Sequence, residues 1–454
     1  MTRIWFHIRM GVFDSVNDRR FQSASKAPLL NNEKKKYQFL YTVLGLTALC
    51  AVAWSTLVRD ARGTSADEKR SADQAFKKKL VAALRPSMQA AKLDLPQQVK
   101  LGGKKASAED ASNQVLVHYT IDDELQTTME RLYKQYRPDY GAFAAVDPDT
   151  GAVLAMVSHS NDPTIHDNLA LRATFPSASI FKVVTAAAAL SKTGLSPESV
   201  IPFTGANHTL YKSHVLRSPS NTRWTRHMTL REAFARSVNT VFGRIGAHRL
   251  GAGPLREFAN RFGFDQDLGG DLPIQMGRAE IQNDAWELAE AASGYTKDNT
   301  MSPIQGALIA AAVVNGGRLM EPHLVAKAFS PDGTEVYEAQ PRQLFQSVDQ
   351  KTAEEMKELM RETITKGTSR KTFRGFAKGI FKATDVGGKT GSLTGENPKG
   401  KVDWFVGYAD HRGKRIAVAA LTINEKLWRV KSSWLARRSM ETYIKSKLAH
   451  ASNP

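Results

Sequence analysis

Between Arg172 and Lys192 the chain carries one charged side chain, Lys182, inside the run Thr174-Phe-Pro-Ser-Ala-Ser-Ile-Phe-Lys-Val-Val-Thr-Ala-Ala-Ala-Ala-Leu190. A segment apolar on every side cannot rest on a surface, so it predicts a helix buried in the core of a sizeable domain. Burial disfavours the ammonium form of a lysine and pushes it towards the neutral amine. Ser179 stands three residues earlier, and on a helix positions i and i+3 share a face. A neutral amine one turn from a hydroxyl can take its proton, which makes Ser179 a candidate nucleophile and Lys182 its candidate base. The competing readings are a helix N-cap for Ser179 and a snorkelling lysine with an exposed head for Lys182. The second needs a polar edge that this helix lacks.

Two further motifs stand at separate places in the chain. Ser237-Val238-Asn239 follows the helical-looking Leu230–Arg236, and Lys389-Thr390-Gly391-Ser392 follows Gly387-Gly388 and leads into strand-like sequence. Each pattern alone is weak, because the chain repeats all three. Ser23–Lys26 has the Ser-x-x-Lys spacing, Ser15–Asn17 repeats Ser-x-Asn, and Lys192-Thr193-Gly194 repeats Lys-Thr-Gly. The first two precede an apolar segment of membrane-spanning length. The third falls where the buried helix should end, with Gly194 as its C-terminal cap. Only Ser179, Ser237 and Lys389 combine the right order with buried-helix, helix-end and strand contexts.

The trio resembles that of the penicillin-binding transpeptidases and serine β-lactamases. The resemblance extends to Gly141–Ser158, Ser237–Phe242, Asn315–Pro322, Lys366–Ser369 and Asp403–Tyr408, and so covers about Val115 to Leu448. Two departures occur. Pro176-Ser177-Ala178 precedes the nucleophile where the family commonly has Pro-Gly, and Ser392 ends the lysine motif where many members have Thr. The resemblance implies that Ser237 relays the proton to the leaving amine and that Asn239 holds the substrate amide and Lys182. Lys389 supplies positive potential for a terminal carboxylate, Thr390 and Ser392 offer it hydroxyls, and Gly391 leaves room for a peptide along the strand. The oxyanion donors implied are the backbone N–H groups of Ser179 and Ser392. Routine capping is the plain alternative for Ser237, and a solvated edge-strand lysine for Lys389. Trp404 and Tyr408 read as core, and Phe181 as either core or site.

The pattern of elements predicts an α+β fold, an antiparallel five-stranded sheet flanked by helices. Gly141–Pro148 and Gly151–Ser158 form a hairpin across Asp147–Gly151. A mostly helical stretch follows from Ser179 to about Gly316. Strands over Gly388–Leu393, Val402–Ala409 and Arg415–Ile423 complete the sheet, and a helix over Ser433–Ala449 ends it.

Ahead of this domain, Phe39–Val58 is an uncharged run of 20 residues, about 30 Å as a helix and enough to cross a bilayer core. It predicts one N-terminal transmembrane helix, over 37–58, between a cytoplasmic tail at 1–36 and a membrane-proximal linker at 59–114. The catalytic domain then occupies 115–450. A cleaved signal peptide is the rival, but the run and its leader are both long for one. Lys34–Lys36 favour a cytoplasmic N-terminus, which places the domain outside the inner membrane of a bacterium. The single cysteine, Cys50, lies in that run, so the exported part carries no thiol for a nucleophile or a zinc site. The net charge of +18 is concentrated near the membrane segment, which suits anionic lipid headgroups. Nucleic acid is the rival partner, and no fold signature supports it.

Together the residues and the resemblance imply a membrane-anchored D,D-transpeptidase that cross-links peptidoglycan stem peptides and is acylated by β-lactams. No metal or cofactor is implied. A glycosyltransferase or another wall-synthesis protein is a further expected partner. A D,D-carboxypeptidase or β-lactamase, and a β-lactam sensor or scaffold without turnover, are the alternatives.

Overall fold

The structure is a computed structural model, and it describes residues 71, 73–101, 114–217, 222–376 and 378–452. The tail over 1–36, the apolar run Phe39–Val58, the linker at Gly102–Ala108 and the decoys before Lys26 lie outside these residues. Among the described residues no helix is long and apolar enough to cross a membrane.

Five antiparallel strands form the central sheet: β1 (Tyr140–Val146), β2 (Val153–Ser160), β3 (Thr384–Glu396), β4 (Lys399–His411) and β5 (Lys414–Asn424). Their order is β3-β4-β5-β1-β2, so β3, which carries Lys389, is an edge strand. The β1–β2 hairpin turns where Gly151, at φ +83°, donates to Asp147 O at 2.9 Å. Asp147 Oδ1 also accepts from the N–H groups of Asp149 and Thr150.

Strand alternation sends side chains to two separate cores. Phe143, Ala145, Phe405, Val418 and Ala420 pack against helices α1 (Asp123–Tyr136) and α7 (Ser432–Ser452). Ala142, Ala144, Val406, Ala419 and Leu421 face α2 (Lys182–Lys192) and α6 (Pro303–Val314). Every residue of α6 is buried, as its wholly apolar surface requires. Each of its Leu and Ile side chains contributes about 1.5–3 kcal/mol by leaving water. Trp404 and Tyr408 are fully buried, and Phe181 packs edge-on against Phe264, so all three are core.

Three expectations are corrected. The stretch assigned to a membrane-proximal linker contains a helix over 73–89 and a strand, Gln98–Lys100, within the compact unit that begins at Asp73. That strand pairs with Gln114–Tyr119, which pairs with Val325–Phe329, so a boundary at 114 cuts through a four-stranded sheet. The region after Ser179 is broken by a two-stranded sheet of Val200–Phe203 and Arg226–Thr229. The α-helix itself starts at Lys182, because Ala178–Phe181 forms a tighter 3-10 turn. The end of that helix agrees with its sequence: Thr193 caps it and Gly194 follows at φ +69°.

Candidate active site

The turn that carries Ser179 is fixed from both ends. Ser177 N–H donates to Asn299 O at 2.7 Å, and the buried indole of Trp404 donates to Pro176 O at 2.9 Å. Ala178 then takes φ +48°, the left-handed region, where an L-residue is held at a cost of roughly 1–2 kcal/mol. This is the position at which the resemblance led one to expect glycine. In a 3-10 turn, residues i and i+3 eclipse. Lys182 therefore stands directly beneath Ser179, with Nζ 2.8 Å from Ser179 Oγ.

The second motif closes a short helix. α3 (Leu230–Ala235) opens with a capping box between Thr229 and Glu232. At its other end the Val238 N–H donates to Ala233 O and the Ser237 N–H to Phe234 O. That pair is a Schellman closure, which wants glycine at the position Ser237 holds with φ +56°. A serine kept in this conformation stores strain of the kind found at functional sites. Its side chain does no capping: Ser237 Oγ accepts from Lys389 Nζ at 2.8 Å. Helix α4 (Asn239–Ile245) follows, and it places Asn239 Oδ1 2.8 Å from Lys182 Nζ.

Lys182 is fully buried, and its amine also donates to Ser293 O at the end of α5 (Ala285–Ser293). Asn239 Nδ2 donates to His208 O at 2.9 Å, which fixes the amide so that Oδ1 faces Lys182. Two partners of the amine can thus only accept. A neutral amine has two N–H bonds and one lone pair. With both N–H groups engaged, the lone pair is left for the Ser179 hydroxyl. Burial, and secondarily the charge of Lys389, hold Lys182 well below the ordinary lysine range, so the neutral form is the one favoured.

Lys389 is also fully buried, and burial pushes its ammonium down to about 7. Besides Ser237 it donates to Thr390 O at 2.7 Å, and it lies 5.6 Å from the centroid of the Phe234 ring. Thr390 Oγ1 is 2.6 Å from Thr368 Oγ1. Of the eight residues predicted for the site, Ser179, Ser237, Asn239, Thr390, Gly391 and Ser392 line one cleft of about 790 Å³. Lys182 and Lys389 lie beneath it.

The reason for glycine at 391 differs from the sequence reading. A Cβ there would meet Ile180 Cγ1 at 3.1 Å and backbone atoms of Ile180 and Ser177 at 3.3 Å. Gly391 therefore lets β3 lie against the nucleophile turn, in addition to lining the cleft. Sequence reasoning missed the Ser293 and His208 carbonyls, because backbone acceptors have no residue-type signature. Thr368 lay inside the Lys366–Ser369 landmark without a role, and its contact with Thr390 across 22 positions supplies one.

The profile of the penicillin-binding protein transpeptidase domain matches residues 141–439, which includes all three motifs. The chain belongs to the penicillin-binding transpeptidase family. It is 30% identical over 325 residues to the peptidoglycan D,D-transpeptidase PbpA of Mycobacterium tuberculosis, with 64% of this chain and 63% of that protein aligned. It is 28% identical to the stage V sporulation protein D of Bacillus subtilis, over 60% of this chain and 43% of that one. The chain thus spans less than two thirds of the length of these relatives. Among solved structures, the D,D-transpeptidase domain of an Eggerthella lenta peptidoglycan glycosyltransferase superposes with a TM-score of 0.60 at 25% identity, covering 75% of this chain and 87% of that one. The imipenem acyl-enzyme complex of penicillin-binding protein A from M. tuberculosis gives 0.58 at 27% identity, covering 73% and 80%. Their penicillin-binding fold agrees with the α+β architecture described above.

Proposed function

We propose that the chain is a peptidoglycan D,D-transpeptidase that works through an acyl-enzyme on Ser179. The observation that carries the reading is the neutral-amine geometry at Lys182, whose lone pair faces Ser179 Oγ across 2.8 Å while Asn239 Oδ1 and Ser293 O take its N–H bonds. Lys182 accepts the hydroxyl proton as Ser179 Oγ bonds to the penultimate D-Ala carbonyl carbon. The oxyanion is met by the N–H groups of Ser179 and Ser392. Ser237 passes the proton to the amine of the terminal D-Ala, and the C–N bond breaks. Lys389, buried beneath the cleft, supplies positive potential for the terminal carboxylate, Thr390 and Ser392 offer it hydroxyls, and the peptide lies along the open edge of β3. An amine on a neighbouring stem then attacks the ester, forms the new amide and returns Ser179.

The similarity to PbpA supports this substrate class, and the sequence supports the setting: an anchor over 37–58, a tail at 1–36 inside, and the catalytic unit outside the cytoplasmic membrane. Asp403 is the one carboxylate among the described residues lining the cleft, and its Oδ2 accepts the Ser432 N–H at 2.8 Å.

Two measurements test the reading. A labelled penicillin should be found on Ser179 by peptide mapping of the membrane-bound protein. Turnover of a D-Ala-D-Ala donor should rise with added stem-peptide amine. A label elsewhere removes the nucleophile assignment, and fast turnover indifferent to amine replaces transpeptidation with hydrolysis.

A further inference from the structure

The cleft does not stop at the catalytic residues. It continues from Ser179 past Ser392 and Thr394 to Lys401, Trp428 and Lys431. We infer that this outer arm, between Lys401, Lys431 and Trp428, binds a second carboxylate on the donor peptide, carried within two residues upstream of the scissile carbonyl. The inference rests on the acyl-transfer reading above and adds a specificity site to it.

The first observation is charge without a partner. Neither Lys401 nor Lys431 has an ion pair or a hydrogen bond among the described residues, and the same holds for Lys371, which also lines the cleft. The nearby carboxylate, Asp403, is buried and accepts the Ser432 N–H at the start of α7; it attracts both lysines through space but forms an ion pair with neither. Other lysines of the chain are satisfied by acids: Lys327 by Glu335 and Glu338, Lys447 by Asp122, and Lys77 by Glu321.

The second observation is preorganisation. Lys401 Nζ lies 4.9 Å and Lys431 Nζ 3.0 Å from the centroid of the Trp428 ring. Attraction to one ring keeps two like charges within about 8 Å of each other in spite of their repulsion. An anion that reaches both amines relieves that repulsion.

The third is register. Ser392 pairs with Asp403 and Thr394 with Lys401, and directly paired residues share a sheet face. Lys401 therefore projects on the face that Ser392 and Thr394 present. A peptide added to the free edge of β3 sends alternate side chains to that face. Its C-terminal carboxylate at Lys389 and Thr390 sets its direction, so its upstream residues run towards Thr394. At roughly 3.3 Å per residue, Thr394 lies about 7 Å beyond Ser392. A side-branch carboxylate one or two residues before the reacting carbonyl thus reaches the lysine pair.

The test uses the membrane-bound full chain and two synthetic donor peptides that end in D-Ala-D-Ala. They differ only in an acidic side branch upstream of the scissile bond, free in one and converted to its primary amide in the other. In the wild type, kcat/KM should favour the acid by about tenfold or more, the scale of a charged hydrogen bond, and the preference should shrink as salt rises. In the Lys401→Gln/Lys431→Gln variant the acid-to-amide ratio should approach one. The amide donor, measured on the same preparation, reports whether the variant is folded. Should the double variant fold poorly, Lys431→Gln alone should show a reduced ratio. Equal rates for both donors in the wild type at low salt, or a wild-type ratio in a folded variant, overturn the inference. A wild type that penicillin does not acylate at Ser179 overturns the acyl-transfer reading itself, so the two failures are distinguishable.

Discussion

At the inner end of the cleft Lys182 and Lys389 are fully buried beneath the surface that substrate would touch, whereas Lys371, Lys401 and Lys431 line its walls in contact with solvent. The inner pair is hydrogen-bonded by Ser179, Asn239, Ser293, Ser237 and Thr390. In the outer group, Lys401 and Lys431 lie against one indole ring, and none of the three forms an ion pair among the described residues. One residue type therefore serves two ends. Desolvation disfavours the charge on Lys182 and favours a proton-accepting amine, while the outer lysines keep their amines at the cleft surface. Lys389 stands between these limits. It is buried enough to sit near about 7, and it stays close enough to Lys182 to lower it further.

The largest effect expected from this contrast is on acylation. Lys182→Ala should slow penicillin acylation of Ser179 by at least about 10², the lower range for a positioned base. The same change at Lys431 should cost about tenfold at most, with the loss falling on donors that carry the extra carboxylate. Stopped-flow or gel-based acylation rates would show this, and equal losses at both lysines would break the contrast.

The next effect is on pH dependence, with the two buried lysines giving limbs of opposite sign. Lys182 acts when neutral, so acylation should rise with pH through its lowered pKa. A charged Lys389 would attract a carboxylate in the cleft, so capture of a carboxylate-bearing donor should fall as pH rises through about 7. Lys389→Ala should remove the falling limb and weaken donor capture by about 1.5–3 kcal/mol. It should also shift the rising limb to higher pH, because the charge that lowers Lys182 is gone. A kcat/KM profile from pH 5 to 9 would check both, and an unmoved rising limb would separate the two lysines.

The smallest effect concerns the turn that carries the nucleophile. Ala178→Gly should relieve the left-handed strain at φ +48°, offset in part by the larger entropy of glycine in the unfolded chain. The net gain should be at most about 1 kcal/mol, read as a small rise in melting temperature with penicillin acylation retained. A loss of stability would mean that the Ala178 methyl packs more favourably than its backbone conformation costs.

Much of this site was legible in the sequence because burial and spacing act locally. The apolar run around Lys182 predicted a fully buried lysine, and the Ser-x-x-Lys spacing predicted its contact with Ser179. The nearly unbroken apolar runs in Val402–Ala409 and Arg415–Ile423 predicted strands, because a strand with two covered faces is apolar on both. The helix start was misplaced at Ser179 because a 3-10 turn and an α-helix share the same i, i+3 pattern. The membrane-proximal region was read as linker because its first strand is three residues long and finds partners only at Gln114–Tyr119 and, through them, Val325–Phe329.

The sequence by itself determined which side chains could do chemistry: a serine beside a lysine that must be buried, and two further motifs in the right order. Only the tertiary structure decided how that lysine is kept neutral and aimed. Its two N–H acceptors come from Asn239 and Ser293, 57 and 111 positions away, and one of them is a backbone carbonyl that any residue could supply. The same holds for the outer arm, where Lys401 and Lys431 are ordinary surface lysines until the β3–β4 register and the Trp428 ring bring them together. Local sequence fixes burial and chemistry at each position, but hydrogen-bond partners and fields are set by groups that are distant in sequence and become neighbours only on folding.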